Sequence, residues 1–150
     1  MERTIKFRGK DCDTKEWHYG DLITWCGAGQ PQIKDWLTDN FGEFDVETES
    51  IGQFTGEADK NGIQIFEGDI VQLEIIPPTY IGKNPTPYKD LRYVAWEQQK
   101  KAYVYRKIKK HPGKHSRNVR DVWMGHGKVR TVEVIGNIHD NPDMMEGAEP

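Results

Sequence analysis

The segment IQIFEGDIVQLEI, residues 63–75, contains the clearest indication of the fold class. Its apolar residues form two short groups on either side of Glu67-Gly68-Asp69, and the second group alternates with polar residues. This alternation is typical of a half-buried β-strand, and the polar interruption predicts a tight bend between two strands. Immediately before it, Asp59-Lys60-Asn61-Gly62 predicts a turn, because Asn-Gly tolerates positive φ.

Composition extends this interpretation to the whole chain of 150 residues. Ile and Val together number 22, whereas Leu and Ala together number 9. β-branched side chains fit a pleated strand and crowd a helix, so this ratio favours a mainly β protein. The length fits one domain, or one domain with a small appendage.

The N-terminal part predicts a β-hairpin followed by a short helix. Residues 4–8 alternate polar and apolar, and residues 17–26 form a second strand candidate after a polar turn. Between residues 31 and 41 the apolar side chains have helical spacing, with Pro31 in the first turn and Gly42 in place to cap the end. The apolar positions of this predicted helix are Ile33, Trp36, Leu37 and Phe41.

Further strands are predicted toward the C-terminus, at residues 91–96, 102–106, 122–124 and 129–138. We therefore divide the chain into three parts. These are a hairpin and short-helix region at 1–56, a strand-rich region at 57–142 and a frayed tail at 143–150.

Several classes of protein are not expected. No apolar run approaches the ~18 residues that span a bilayer, and the charged N-terminus lacks a secretory signal, so we expect a cytoplasmic protein without membrane contact. Cys12, His18 and Cys26 lack the short Cys-x₂₋₄-Cys spacing of a zinc site. We find no Ser/His/Asp grouping for nucleophilic catalysis, and we expect neither a metal nor another cofactor.

Two glycine-containing motifs have a catalytic and a structural interpretation. Gly52-Gln53-Phe54-Thr55-Gly56 lacks the Lys-Ser/Thr pair of a phosphate-binding loop, so we assign Gly52, Gln53, Thr55 and Gly56 a backbone role. Glu67 and Asp69 could bind a cation in a metal-dependent nuclease, but a tight bend needs the same residues. We favour the structural role for Glu67, Gly68 and Asp69.

Residues 100–120, KKAYVYRKIKKHPGKHSRNVR, contain nine Lys/Arg residues and no acidic residue. The remaining chain has 12 basic and 24 acidic residues, although the net charge is only −3. Such a segment attracts phosphates, and Trp96, Tyr103 or Tyr105 could stack on bases. A solvated loop or a contact with an acidic subunit is the alternative. The candidate nucleic-acid-binding residues are Lys100, Lys101, Arg106, Lys107, Lys109, Lys110, Lys114, Arg117 and Arg120.

Three groups of motifs occur in a fixed order over residues 4–142. The first group is KFRGK followed by EWHYG, and the second is IGQFTG followed by DKNG and IFEGDIV. The third is the single motif VEVIGNIHDNP. In this respect the chain resembles the YopX family of small phage and prophage proteins. The resemblance implies a β-rich fold in which residues 57–142 form an SH3-like β-barrel, and it supplies no catalytic residue. We expect backbone roles for its C-terminal motif residues Gly136, Asn137, Asn141 and Pro142.

We therefore expect a non-enzymatic protein that acts by binding. The first hypothesis is a protein-interaction or oligomer-forming module, since small barrels bind through grooves and edges. The alternative is nucleic-acid binding through the basic loop at residues 100–120. A metal-dependent nuclease-like activity is a more distant alternative.

Overall fold

The computed structural model describes residues 4–25, 27, 29–36, 41–77, 86–108, 122–124 and 127–146. The chain divides into two compact units, Met1–Glu57 and Ala58–Pro150. The described elements are almost all antiparallel strands, so the predicted mainly β fold class is confirmed.

The first unit is built on an N-terminal hairpin. Phe7 faces Gly20 and Lys10 faces Trp17 across this hairpin, which confirms the pairing predicted from the sequence. The strands follow the order β4-β3-β2-β1-β5, and neighbours are antiparallel. They are β1 (Phe7–Lys10), β2 (Trp17–Ile23), β3 (Gln32–Asp35), β4 (Gly42–Asp45) and β5 (Gly52–Ala58), with a 3₁₀ turn at Thr48–Ser50.

The predicted helix at residues 31–41 is wrong where the structure describes this segment, since Gln32–Asp35 forms strand β3. Ile33 and Asp35 are both fully buried, which is a period of two. The sequence suggested a period of 3.6 because the second inward position is an aspartate rather than an apolar residue. Residues 37–40 of the predicted helix lie outside the described residues.

The second unit is a sheet with the strand order β10-β9-β8-β7-β11. Among the described residues neither sheet closes on itself, so the SH3-like barrel is not confirmed. The elements of this unit are β6 (Gln64–Phe66), β7 (Asp69–Ile75), β8 (Tyr88–Glu97), β9 (Ala102–Lys107), β10 (Val122–Trp123), β11 (Val129–Asn137) and a one-turn helix α1 (Asp143–Glu146).

Apolar side chains from one face of this sheet, together with Ile65 of β6, form the core of the second unit. The alternation in β7 buries every second residue on that face, as the sequence predicts. Partly buried residues, including Val122, Val132 and Val134, pack against the core. The buried members are Ile65, Val71, Leu73, Ile75, Val94 and Tyr105.

The predicted frayed tail at residues 143–150 lies only partly within the described residues. Its first four residues form α1, in which Met144 N–H donates to Asn141 O at 3.1 Å and Met145 N–H donates to Pro142 O at 3.0 Å. Residues 147–150 lie outside the described residues. In the described part of the chain, no helix has the length and apolar character needed to cross a bilayer.

Candidate functional site

A buried histidine lies between two carboxylates in the first unit. His18 on β2 places Nε2 3.6 Å from Asp11 Oδ2 and Nδ1 3.4 Å from Asp35 Oδ2. The imidazole is stacked on the Phe44 ring, with centroids 3.7 Å apart and planes 3° from parallel. Cross-strand register brings the group together, because β2 lies between β1 and β3.

The surroundings of this cluster fit a structural role. His18 is 3% exposed and Asp35 is fully buried, so a substrate has no access to them. Asp11 Oδ1 accepts the backbone N–H groups of Asp13 and Thr14, each at 2.8 Å. The Thr14 N–H is the largest contribution that lowers the pKa of Asp11, and it outweighs burial, which raises the pKa.

His18 is also one of the three residues that the sequence analysis considered as zinc ligands. His18 is oriented toward carboxylates rather than toward Cys12, and Cys26 lies outside the described residues. Burial raises the pKa of the Cys12 thiol, as does the nearby Glu47 charge. Within the described ranges no three His, Cys, Asp or Glu residues are placed to hold a metal ion.

The glycine motif at residues 52–56 lies within strand β5 rather than in a loop. Gly52 faces Arg8 and Gln53 faces Phe7 in the antiparallel register with β1. Gly56 has a φ of 93°, in a region that side chains rarely adopt. The motif therefore lies in a strand and does not form a phosphate-binding loop.

The Glu67-Gly68-Asp69 segment forms a closed bend between β6 and β7. Asp69 is 2% exposed, and its Oδ2 accepts the Phe66 N–H at 2.8 Å. Gly68 has a φ of 89°, its N–H donates to Val94 O at 2.9 Å and its carbonyl accepts the Ile138 N–H at 2.9 Å. In this bend Gly68 and Asp69 therefore make hydrogen bonds with backbone groups of neighbouring segments.

A second polar turn ends strand β11. The Asn137 side-chain oxygen accepts the N–H groups of His139 and Asp140 at 3.0 and 2.9 Å, and Asn141 Oδ1 accepts the Asn137 N–H at 3.2 Å. A Cβ on Gly136 would collide with the Asn141 amide. A side chain at position 136 would therefore displace the Asn141 amide from its hydrogen bond with the Asn137 N–H.

The sequence predicted a turn at Asp59, and the structure shows that the Asp59 carboxylate also contacts strand β11. Its carboxylate accepts three backbone N–H groups, from Asn61, Ile63 and Val134, at 2.8, 2.9 and 3.0 Å. Burial by itself would raise the pKa of Asp59, but these N–H groups and the Lys60 charge lower it. Lys60 N–H donates to Val132 O at 3.0 Å, so the turn occupies the outer edge of β11.

Four of the nine candidate nucleic-acid-binding residues belong to the described part. Lys100 and Lys101 are exposed in the turn between β8 and β9, and Lys101 has a φ of 51°. Arg106 is paired with Glu97 through a 2.7 Å ion pair, and Lys107 ends β9. The other five, Lys109, Lys110, Lys114, Arg117 and Arg120, lie outside the described residues.

Aromatic side chains surround the turn that carries Lys100. Trp96 and Trp123 are 39% and 42% exposed. Tyr103 is half-buried and meets Trp96 edge-on. The expectation that Tyr105 could stack on a base is wrong, because Tyr105 is 3% exposed in the apolar core. Trp123 was missed because the sequence gives no sign that β10 pairs with β9 beside the basic turn.

Another aromatic surface lies on the first unit at the end of β3. Trp36 is 52% exposed, and its Nε1–H donates to Asp21 Oδ2 at 3.0 Å. The Lys34 ammonium lies 4.5 Å from the centre of the indole and 3.4 Å from Glu43 Oε1. Phe41, which precedes β4, is 73% exposed. We call Trp36, Phe41 and the polar residues Asp21, Lys34 and Glu43 the Trp36 surface.

Within the described residues, these features define a β-rich protein of two units that has buried polar groups and exposed aromatic side chains in both units. The family model described as YopX protein matches residues 6–146, and the chain belongs to this family. Protein EF1440 from Enterococcus faecalis has a crystal structure similar to this chain, at 24% identity. The match covers 97% of this chain and 100% of that chain, with a TM-score of 0.46. No curated protein matches the chain.

Proposed function

We propose that this protein acts by binding rather than by catalysis, and that its partner is a second copy of the same chain. The observation that carries this proposal is the exposed but immobilised Trp36. Tryptophan is enriched among the residues that dominate binding energy at protein interfaces. An exposed indole in a fixed position therefore supports a protein-binding role.

The contacts around Trp36 reduce the conformational entropy that its side chain would lose on binding a partner. The hydrogen bond to Asp21 and the Lys34 ammonium over the ring restrict its rotamers before a partner arrives. Ordering a side chain at an interface costs about 0.5–1.5 kcal/mol, and this part of the cost is already met within the monomer. The geometry suits a contact that forms without rearrangement.

The adjacent strand supports self-association as the form of this contact. In the sheet order β4 is a terminal strand, with β3 as its neighbour. A terminal strand offers backbone groups to another chain, and two identical edges can pair about a two-fold axis. Phe41 at the start of this edge would then extend the apolar contact made by Trp36.

The test is light scattering with matched tryptophan variants. The wild type should show a mass above the 17.4 kDa of one chain, and Trp36→Ala should weaken association by about 30-fold, the equivalent of about 2 kcal/mol. Trp25→Ala is the control, because Trp25 is 59% exposed but follows β2, beyond the other end of β3. A monomeric wild type, or equal losses in the two variants, would contradict the proposal.

We also propose an SH3-like fold for the second unit and a phage or prophage origin. The strand order supports the fold, because β7, β8, β9 and β10 are successive neighbours and β11 returns to β7. Family membership supports the origin and a location in the cytoplasm of a host bacterium.

Nucleic-acid binding is the second candidate function. Its support is the charge of residues 100–120, in which nine cations occur without an acid. Lys100 and Lys101 carry part of this charge on the exposed turn between β8 and β9. The logarithm of the affinity should then fall linearly with the logarithm of the salt concentration, as counterions are released from the phosphates.

A further inference from the structure

The turn between β8 and β9 combines exposed aromatic rings with exposed cations. Trp96 faces Tyr103 in the register of β8 and β9, and Trp123 faces Val104 in the register of β9 and β10. Neighbouring residues of one strand point to opposite faces of a sheet. The two tryptophans therefore lie on opposite faces near the same end of the sheet, and the turn Gln98–Lys101 lies at that end.

Both rings are held by neighbouring groups. The Trp96 Nε1–H donates to Gln98 Oε1 at 3.1 Å, and its ring meets the Tyr103 ring at 70° with centroids 5.0 Å apart. The Lys100 ammonium lies 5.1 Å from the centre of the Trp123 ring. The nearest acid in sequence, Glu97, is engaged by Arg106, so it does not cancel the charge of the turn.

From this arrangement we propose that the turn binds single-stranded nucleic acid, with one base stacked on Trp96, another on Trp123 and the intervening backbone on Lys100 and Lys101. This inference rests on the second candidate function and names its ligand class. Both tryptophan residues are exposed, at 39% for Trp96 and 42% for Trp123, and so are accessible to a base. Stacking on aromatic rings and backbone contacts with cations are the two interactions that single-strand binders combine.

The same geometry favours a single strand over a duplex. The faces of paired bases are covered by their neighbours in the stack, so an exposed indole can stack only on an unpaired or displaced base. The binding should tolerate any sequence, because every base has a π-face and the turn offers no bidentate array for base edges.

The experiment measures fluorescence anisotropy of a labelled oligo-dT and of a labelled duplex of equal length at low salt. We expect oligo-dT to bind more tightly than the duplex. Trp123→Ala and Trp96→Ala should each weaken oligo-dT binding by about 5- to 100-fold, while Trp25→Ala should have no effect. Trp96 packs on Tyr103, so Trp123→Ala decides the result if Trp96→Ala fails to fold.

A matched pair of lysine variants tests the backbone contact. Lys100→Gln should lower the slope of log affinity against log salt by about 0.7, the value for one phosphate of a single strand. Lys89→Gln removes the same charge from the opposite end of β8 and should leave the slope unchanged. Equal changes in both variants would reduce the effect to net charge and overturn the proposed contact.

The two probes separate this inference from the function on which it rests. Two results would overturn the single-strand site and leave nucleic-acid binding intact. The first is binding of the duplex without binding of oligo-dT. The second is that Trp123→Ala binds both the duplex and oligo-dT as strongly as the wild type does. Absence of binding to both probes at low salt would overturn the second candidate function and this inference together.

Discussion

The two units hold their sheets together by different means. In the described part of the first unit the fully buried apolar side chains are Ile33 and Val46, and the buried polar ones are more numerous. The second unit buries a continuous apolar cluster from β6, β7, β8 and β9. The buried polar residues of the first unit are Arg8, Asp11, His18, Asp35 and Ser50.

This difference indicates how each unit should respond to substitution. A buried polar network stabilises only while its members satisfy one another, since an unpaired buried charge costs more than the pair contributes. An apolar core loses stability in proportion to the cavity that a substitution leaves. The first unit should therefore be sensitive to charge balance and the second unit to volume.

Removal of His18 should have the largest effect. His18→Ala removes the imidazole that lies between the Asp11 and Asp35 carboxylates and stacks on Phe44, and we expect a loss of about 3–5 kcal/mol in the free energy of unfolding, measured by urea denaturation. Asp35→Asn in the same background should restore part of the loss, because a neutral amide costs less to bury.

A cavity variant in the second unit serves as the comparison. Leu73→Ala should cost about 2–5 kcal/mol, and its cost should be the same with or without Asp35→Asn, because it arises from volume. If Asp35→Asn fails to raise the stability of His18→Ala, then His18 stabilises the first unit by packing against Phe44 rather than through charge.

An intermediate effect is expected at the bend before β7. Gly68→Ala should destabilise the protein by about 1–2 kcal/mol, because its φ of 89° is unfavourable for any residue with a Cβ. Gly127→Ala provides the control, since a Cβ there meets nothing within 4 Å. Thermal unfolding measures both, and equal melting temperatures would show that the bend can change its conformation.

The smallest effect is the contribution of single carboxylates to stability at acidic pH. Folding lowers the pKa of both Asp11 and Asp59, so the unfolded chain binds protons first as the pH falls. Their stabilisation is complete above the ordinary carboxyl pKa, and it should decrease below about pH 5 as the folded-state pKa is approached.

Substitution can assign part of this acid sensitivity to the second unit. Asp59→Asn should reduce the slope of stability against pH in this range, while Asp143→Asn, at an exposed position in α1, should retain it. Urea denaturation at several pH values measures the slopes. Identical slopes for Asp59→Asn and the wild type would show that folding leaves the pKa of Asp59 unchanged, and would contradict the lowered pKa.

The success of sequence-based prediction also differs between the units. The strands at residues 63–75 and the bend at Gly68 follow from local rules, because alternation and turn residues act over a few positions. In the first unit the inward side of β3 carries Asp35, and a buried acid breaks the apolar pattern on which such rules depend. The helix prediction failed for this reason.

The amino-acid sequence by itself determined the β-rich class, the turns, the charge segregation and the family. These properties depend on composition or on neighbours within about ten residues. Only the tertiary structure decided that His18 lies between Asp11 and Asp35, that Asp59 reaches Val134 and that Lys100 lies over Trp123. Such contacts depend on which strands become neighbours and in which register, and a one-residue shift would turn each side chain to the other face.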